Sequence, residues 1–259
     1  MITLITDFGL QDVYLGVMKG VIASHSPTTP LIDLTHNIAP QDCYGARFQL
    51  LNAFPYFPLG TIHLVIVDPG VGSHRRAIAV QLARAYLVGP DNGVFSGVCD
   101  RYPVLQVVEL DQPTYWRTPT PSPTFHGRDI FAPAAAYLAA GIPLTALGTP
   151  ISPDSLRRLE LPPCRSIALG MECCIQAIDH FGNAITTLPA DSLNSRPWHI
   201  QLGATAIPGA TTYSSVPEQT PLALAGSHGW IEIAVNQGRA QEVLGLEVGQ
   251  PVQLVWHQD

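Results

Sequence analysis

The stretch 65-VIVDPGVGSHRRAIAV-80 decides how this chain is read. An apolar run ends at Asp68, a glycine-rich turn follows, and two arginines close it. Alternating Ala77, Ile78, Ala79 and Val80 then begin a new strand. Glycine turns after strands often cradle phosphate through backbone N–H groups. The phosphate-loop pattern, however, requires G-x-x-x-x-G-K-[ST] ahead of a helix. This turn has no lysine and leads into a strand. It sets a carboxylate, Asp68, seven or eight residues from a guanidinium, Arg75 or Arg76. In extended chain only one of two adjacent arginines faces a given side, and motif position favours Arg75.

The flanking sequence alternates strand and helix patterns. Residues 2–6 are an apolar run that stops at Asp7, and 13–23 carry apolar positions at helical spacing. Residues 31–34 read as a strand, and 43–54 as a helix ending before Pro55. Residues 61–67, 76–82 and 85–88 read as strands. This order predicts an N-terminal α/β, Rossmann-like sandwich over 1–155 with a mainly parallel sheet. Functional groups in such sheets collect at the carboxyl ends of strands, so Asp7 and Asp68 are expected on one edge.

Residues 111–124 (DQPTYWRTPTPSPT) form a Pro- and Thr-rich loop without periodicity. Long loops of this kind inside compact domains are often functional. It leads to Phe125-His126-Gly127-Arg128-Asp129 and an Ala-rich helix near 129–140. The Pro-rich segment 150–165 reads as a linker. Beyond it, strands at 167–178, 184–188, 198–202, 229–235 and 251–256 predict a smaller all-β barrel or sandwich over 165–259.

Composition narrows the function. The 259 residues are 46% hydrophobic and 13% charged, which describes a well-buried globular protein and not a disordered one. A formal charge of −7 argues against nucleic acid as a partner. The start, MITLITDFG, has neither the positive n-region of a signal peptide nor an apolar stretch long enough to span a membrane. Five cysteines without a C-x-x-C pair fit reduced thiols in a cytoplasm, packed as small core residues.

Each candidate residue has an ordinary structural reading beside the chemical one. Asp-Pro-Gly is common turn chemistry, Arg75 reads equally as a surface cation, and His126 as a hydrogen-bonded loop histidine. Converging, Asp68, Arg75 and His126 would hold and polarise a water: Asp accepts, Arg donates, His does either. The letters Asp7-Phe8-Gly9 match a kinase motif, but no kinase companion motif accompanies them. A carboxylate after a strand can instead accept from the two hydroxyls of a ribose. Asp12 reads as a helix N-cap ahead of Val13. Asp179-His180-Phe181-Gly182-Asn183 is hairpin chemistry, or else an aromatic ring, an amide and a carboxylate for a base and an ammonium. No spaced His or Cys pattern marks a metal site, and no G-x-S-x-G marks a serine nucleophile.

Six motifs occur in order: ITDFG, VDPGVGS.RR, PDNG at 90–93, FHGRDIFAP, D.FGNAITT and SHG…EIAVNQG. Their set resembles the S-adenosyl-L-methionine hydroxide adenosyltransferase family, relatives of the fluorinases and chlorinases. The resemblance implies an α/β domain followed by a β-barrel domain, in a homotrimer with active sites shared between neighbouring subunits. It implies conversion of S-adenosylmethionine and water to adenosine and L-methionine, with no cofactor beyond the substrate. By motif position the water-holding trio is Asp68, Arg75 and His126, and Asp7 binds the ribose. Asp179 and Ser227 meet the methionine ammonium. Asn183 and the backbone near Gln237 read adenine, with Phe181 and Tyr213 at its faces. Three alternatives stand beside this reading: a halogenase of the same superfamily, a non-catalytic binder of the same nucleoside, and a metal phosphoesterase.

Overall fold

The structure is a computed structural model that describes residues 1–193 and 196–257. The chain forms two compact units, Met1–Leu159 and Glu160–Asp259.

In the first unit β1 (Ile2–Thr6) leads to α1 (Tyr14–His25), β2 (Leu31–Thr35), α2 (Cys43–Ala53) and β3 (Thr61–Ile66). Then follow β4 (Ala77–Leu82), β5 (Ala85–Pro90), the single turn α3 (Ser96–Cys99) and β6 (Val104–Glu109). The unit closes with α4 (Ala132–Ala139) and the short β7 (Thr149–Pro150). β1 and β3 are buried at every position, as strands covered on both faces must be. Leu15, Met18 and Ile22 give α1 one buried stripe. Asp42 starts α2 by accepting from the Gly45 N–H at 2.8 Å. Asp12 does not cap α1: the N-cap is Val13, with no side-chain hydrogen bond.

The sheet order is β2-β1-β3-β5-β4-β6-β7. The β2-β1-β3-β5 half is parallel, and β5-β4-β6-β7 is antiparallel, so the sheet is mixed where the alternation predicts a mainly parallel one. The cause is connection length. Only Ala83 and Arg84 join β4 to β5, and a two-residue link closes a hairpin, whereas a parallel neighbour needs a crossover of a dozen residues or more. β6, absent from the sequence reading, extends this antiparallel half.

In the second unit β8 (Arg165–Ile167) and β9 (Gly170–Ile178) form a hairpin where the sequence reads one strand, followed by β10 (Ala184–Pro189), β11 (Trp198–Leu202) and β12 (Thr205–Pro208). Next come β13 (Pro221–Ala225), β14 (Trp230–Val235), the five-residue α5 (Ala240–Leu244) and β15 (Pro251–Trp256). The order β12-β11-β15-β9-β10-β14-β13 nearly closes on itself: Gly209 bridges Ala223, and the Ala210 N–H donates to the Ala223 carbonyl at 2.8 Å. Cys173, Ile175, Ile200, Ile231, Ile233 and Leu254 fill the interior. β13 escapes the sequence reading because Pro-Leu-Ala-Leu-Ala has no β-branched residue. No helix among the described residues is long and apolar enough to cross a membrane.

Candidate active site

β1 and β3 are parallel neighbours with Thr6 opposite Ile66. Asp7 and Asp68 therefore emerge from the same carboxyl edge, and both line one cleft of about 690 Å³ in the first unit. The VDPG strand end is braced from below: Asn92 of the PDNG segment donates through Nδ2 to the Val67 carbonyl at 2.8 Å.

The turn after β3 folds on itself. The Val71 N–H reaches the Asp68 carbonyl, and the Ser73 hydroxyl donates to the Gly70 carbonyl. Gly72 sits at φ +77°, and a Cβ there would lie 2.4 Å from the Pro123 carbonyl oxygen. That answers what the glycine is for. It lets the Pro-rich loop lie directly on the turn, and no other residue combines this φ with this approach.

The two arginines part company. Arg75 clamps Asp68, with Nε at 2.9 Å from Oδ1 and Nη2 at 2.5 Å from Oδ2. The same Nη2 lies 2.8 Å from His126 Nδ1. Arg76 turns the other way, onto Asp91 and the Ser155 carbonyl. Asp68 and His126 line the cleft, whereas Arg75 does not. It sits behind them, 5.2 Å from the Phe131 ring centroid, where it can orient both and neutralise Asp68. Both partners of the ion pair are buried, with side chains 9% and 7% exposed. Burial first, and then the Arg75 charge, hold the His126 imidazole below its usual pKa, so it is neutral at neutral pH.

Phe8 and Tyr14 each stand edge to face with Phe125 and are tilted to one another along the same cleft, at 5.3–5.9 Å between ring centroids. The sequence reading missed this aromatic wall; its one signal is the short spacing of Phe8 and Tyr14 around Asp7. Asp7 itself accepts from the Gln41 N–H at 2.8 Å. Cys43 lies nearby, but burial and the neighbouring Asp42, Asp68 and Asp7 push its thiol up to about 11, so it is no nucleophile at neutral pH. Among the described residues no three His, Cys, Asp or Glu are grouped to hold a metal ion.

The second unit has its own cleft, of about 500 Å³, lined by Phe181, Asn183, Tyr213 and Gln237 together with His180 and Arg239. Phe181 is 71% exposed. Gly182 at φ +82° turns the hairpin, and Asp179 uses its carboxylate inside it, accepting from the Asn183 N–H at 2.8 Å and Nδ2 at 3.1 Å. Gln237 has φ +54°, and its carbonyl accepts from Gln219 Nε2 at 2.6 Å. Asp179 and Ser227 do not line this cleft; Ser227 is exposed in the turn before β14. His228 and Glu232 stand within the SHG…EIAVNQG motif but carry no role in the sequence reading. Glu232, buried on β14, accepts from the Tyr213 hydroxyl and from His228 Nε2 at 2.8 Å. Burial, then this carboxylate, push the Tyr213 phenol well above its ordinary pKa, so it stays a donor.

Fold and site define the class first: an α/β unit with a carboxylate–guanidinium–imidazole trio at its sheet edge, followed by a near-closed β-barrel with an aromatic-lined cleft. Residues 2–148 match the SAM hydroxide adenosyltransferase N-terminal domain, and 173–253 the C-terminal domain of the same name. The chain is 41% identical to an (R)-S-adenosyl-L-methionine hydrolase of Thermus thermophilus, over 97% of this chain and 98% of that protein. A fluorinase of Nocardia brasiliensis is more distant, at 25% identity over 98% of this chain and 96% of its own length. Among solved structures, an uncharacterized conserved protein from Thermotoga maritima superposes with a TM-score of 0.91 at 34% identity, covering 98% of this chain and all of that one. The chain belongs to the S-adenosyl-L-methionine hydroxide adenosyltransferase family.

Proposed function

We propose that this protein hydrolyses S-adenosyl-L-methionine to adenosine and L-methionine. Water attacks C5′ in line with the departing sulfur. The O–C5′ bond forms, the C5′–S bond breaks, and its electron pair returns to sulfur as the methionine thioether. The sulfonium is already a good leaving group, so no acid need protonate it. No oxygen on the substrate needs metal polarisation, so no cofactor enters. The supporting observation is the single guanidinium that holds Asp68 and His126 side by side at the cleft. Arg75 is a permanent donor, so His126 Nδ1 must accept from it, which puts the ring proton on Nε2. His126 then donates to the water oxygen, and Asp68 is the member with lone pairs left to take the water's proton.

In this reading Asp7 accepts from the ribose hydroxyls, supported by its position on the same cleft as Asp68. Phe181, Tyr213, Asn183 and Gln237 receive adenine, and Asp179 and Ser227 the methionine ammonium. These two sets lie in separate units, which fits a homotrimer in which neighbouring subunits complete one another's sites. All five cysteines are thiols, in keeping with a reducing, cytoplasmic setting. The R configuration at sulfur follows the Thermus thermophilus relative, an (R)-S-adenosyl-L-methionine hydrolase.

A halogenase reading is disfavoured because the Asp68 carboxylate and the His126 imidazole line the cleft with groups that hold water, where a halide calls for a small apolar site. The deciding experiment incubates EDTA-treated protein with S-adenosylmethionine in chloride buffer and separates the nucleosides. Adenosine with methionine supports the hydrolase. A 5′-chloro nucleoside would replace it with a halogenase, and binding without product with a sensor.

A further inference from the structure

The Pro- and Thr-rich loop over residues 111–124 has no role in the chemistry above, yet it is firmly placed. On one side it lies on the catalytic turn, through Pro123 against Gly72. On the other it is fastened to Asp129, and the reason is written in FHGRDIFAP. Pro133 has no N–H, and its ring collides with the carbonyl four residues back in an α-helix. That carbonyl belongs to Asp129. The chain responds with a π-helical turn over Gly127–Phe131, in which the Ala132 N–H reaches the Gly127 carbonyl. The released Asp129 carbonyl accepts instead from the Arg117 N–H at 2.9 Å.

The side chain repeats the connection. The Asp129 carboxylate, 1% exposed, takes Arg117 Nε at 2.5 Å, the Ser122 N–H at 2.9 Å, and Arg128 Nε and Nη2 at 2.7 Å each. Burial alone would raise its pKa; the hydrogen bonds from Arg128, Ser122 and Arg117 outweigh that and hold it ionised. Arg128 in turn lies 5.2 Å from the centroid of Phe125, beside His126. Ser122, Thr124, Phe125 and His126 all line the cleft.

We infer that Asp129 is the positioning residue of this site: by tying the 117–124 strap to the π-turn it fixes the His126 ring against Arg75. This rests on the hydrolase reading for the part His126 plays, but the tie itself does not. Asp129 touches no reacting atom, so its loss should change turnover and leave binding largely intact.

The test is Asp129→Asn, which keeps the size but turns one acceptor oxygen into a donor facing donors. Hydrogen exchange by mass spectrometry and steady-state kinetics are read on the same full-length preparation. Faster exchange over residues 117–126 is expected. So is a kcat lower by at least about tenfold, towards the ~10²-fold that a 1 Å misplacement costs, with KM for S-adenosylmethionine within about threefold. Arg117→Ala, on a partly exposed side chain, removes one donor and should give a smaller effect of the same kind; it serves if the Asn variant fails to fold. Unchanged exchange in both variants overturns the tie. Faster exchange with unchanged kcat, or a loss confined to KM, overturns the positioning of His126. A wild-type enzyme that makes no adenosine overturns the hydrolase reading instead, while the exchange result still decides the tie.

Discussion

Arg75 Nη2 stands 2.8 Å from His126 Nδ1. Since a guanidinium only donates, this contact dictates the tautomer of the imidazole and opposes its protonation. kcat/KM is therefore expected to be flat through neutrality and to fall on the acid side, with a midpoint below the ordinary histidine value of ~6.5. Protonated His126 would present a second donor to Arg75 and lose the contact. Initial rates between pH 4.5 and 8 check this, and a midpoint above the ordinary value would remove His126 from the limb. His126→Ala should cost roughly 10²-fold or more in kcat.

Asp68→Asn tests the acceptor. The amide keeps the shape but gives up the charge that balances Arg75 and the lone pairs that take the proton. We expect kcat to fall by ~10²–10⁴-fold with adenosine affinity little changed, measured by calorimetry beside single-turnover rates. Asp68→Ala is the poorer probe. Removing one partner of a buried ion pair costs on the order of 3–5 kcal/mol of stability by itself.

In the second unit, Tyr213→Phe removes the hydroxyl that Glu232 holds. The freed ring should raise KM by about three- to tenfold, the equivalent of one lost net hydrogen bond of about 1 kcal/mol, with kcat retained. A fall in kcat at saturating substrate would mean that Tyr213 acts on the reacting centre.

Stability should depend on pH through a residue outside the site. His63 is buried on β3 beside Phe54 and Phe57, and its Nδ1 pairs with the Thr3 hydroxyl at 2.8 Å. Burial, and then Arg84, push its pKa down to about 4. The folded pKa lies below the unfolded one of ~6.5, so the contribution of neutral His63 is complete above ~6.5. It is lost as pH falls from there to about 4, by roughly 3 kcal/mol. Urea melts at pH 7.5 and 4.5 check this against His63→Gln, which should lack that part of the slope.

Sedimentation should give a trimer. A fully active monomer would show that one chain supplies the whole site and would withdraw the sharing between subunits.

Much of this was legible in residue patterns. Buried parallel strands read as unbroken apolar runs, so β1 and β3 and their terminal Asp7 and Asp68 stood out. The Asp179–Asn183 turn was readable because glycine and asparagine chemistry is local. β13 was not, since its β character comes from pairing with β14, whereas the three valines of β6 are a local strand signal. The Asp12 cap failed because a capping residue must also occupy the right backbone position, and Val13 holds it.

By itself the sequence determined the local and the periodic: most of the strands and helices, and where the glycines must turn. Only the tertiary structure decided the partners. Asp68 and Asp91 sort two adjacent arginines, Asp129 collects donors from Arg117, Ser122 and Arg128, and Glu232 reaches Tyr213 across 19 residues. Such pairings cross between separate turns, loops and strands, and their energy comes from burial and charge that exist only once the strands are packed.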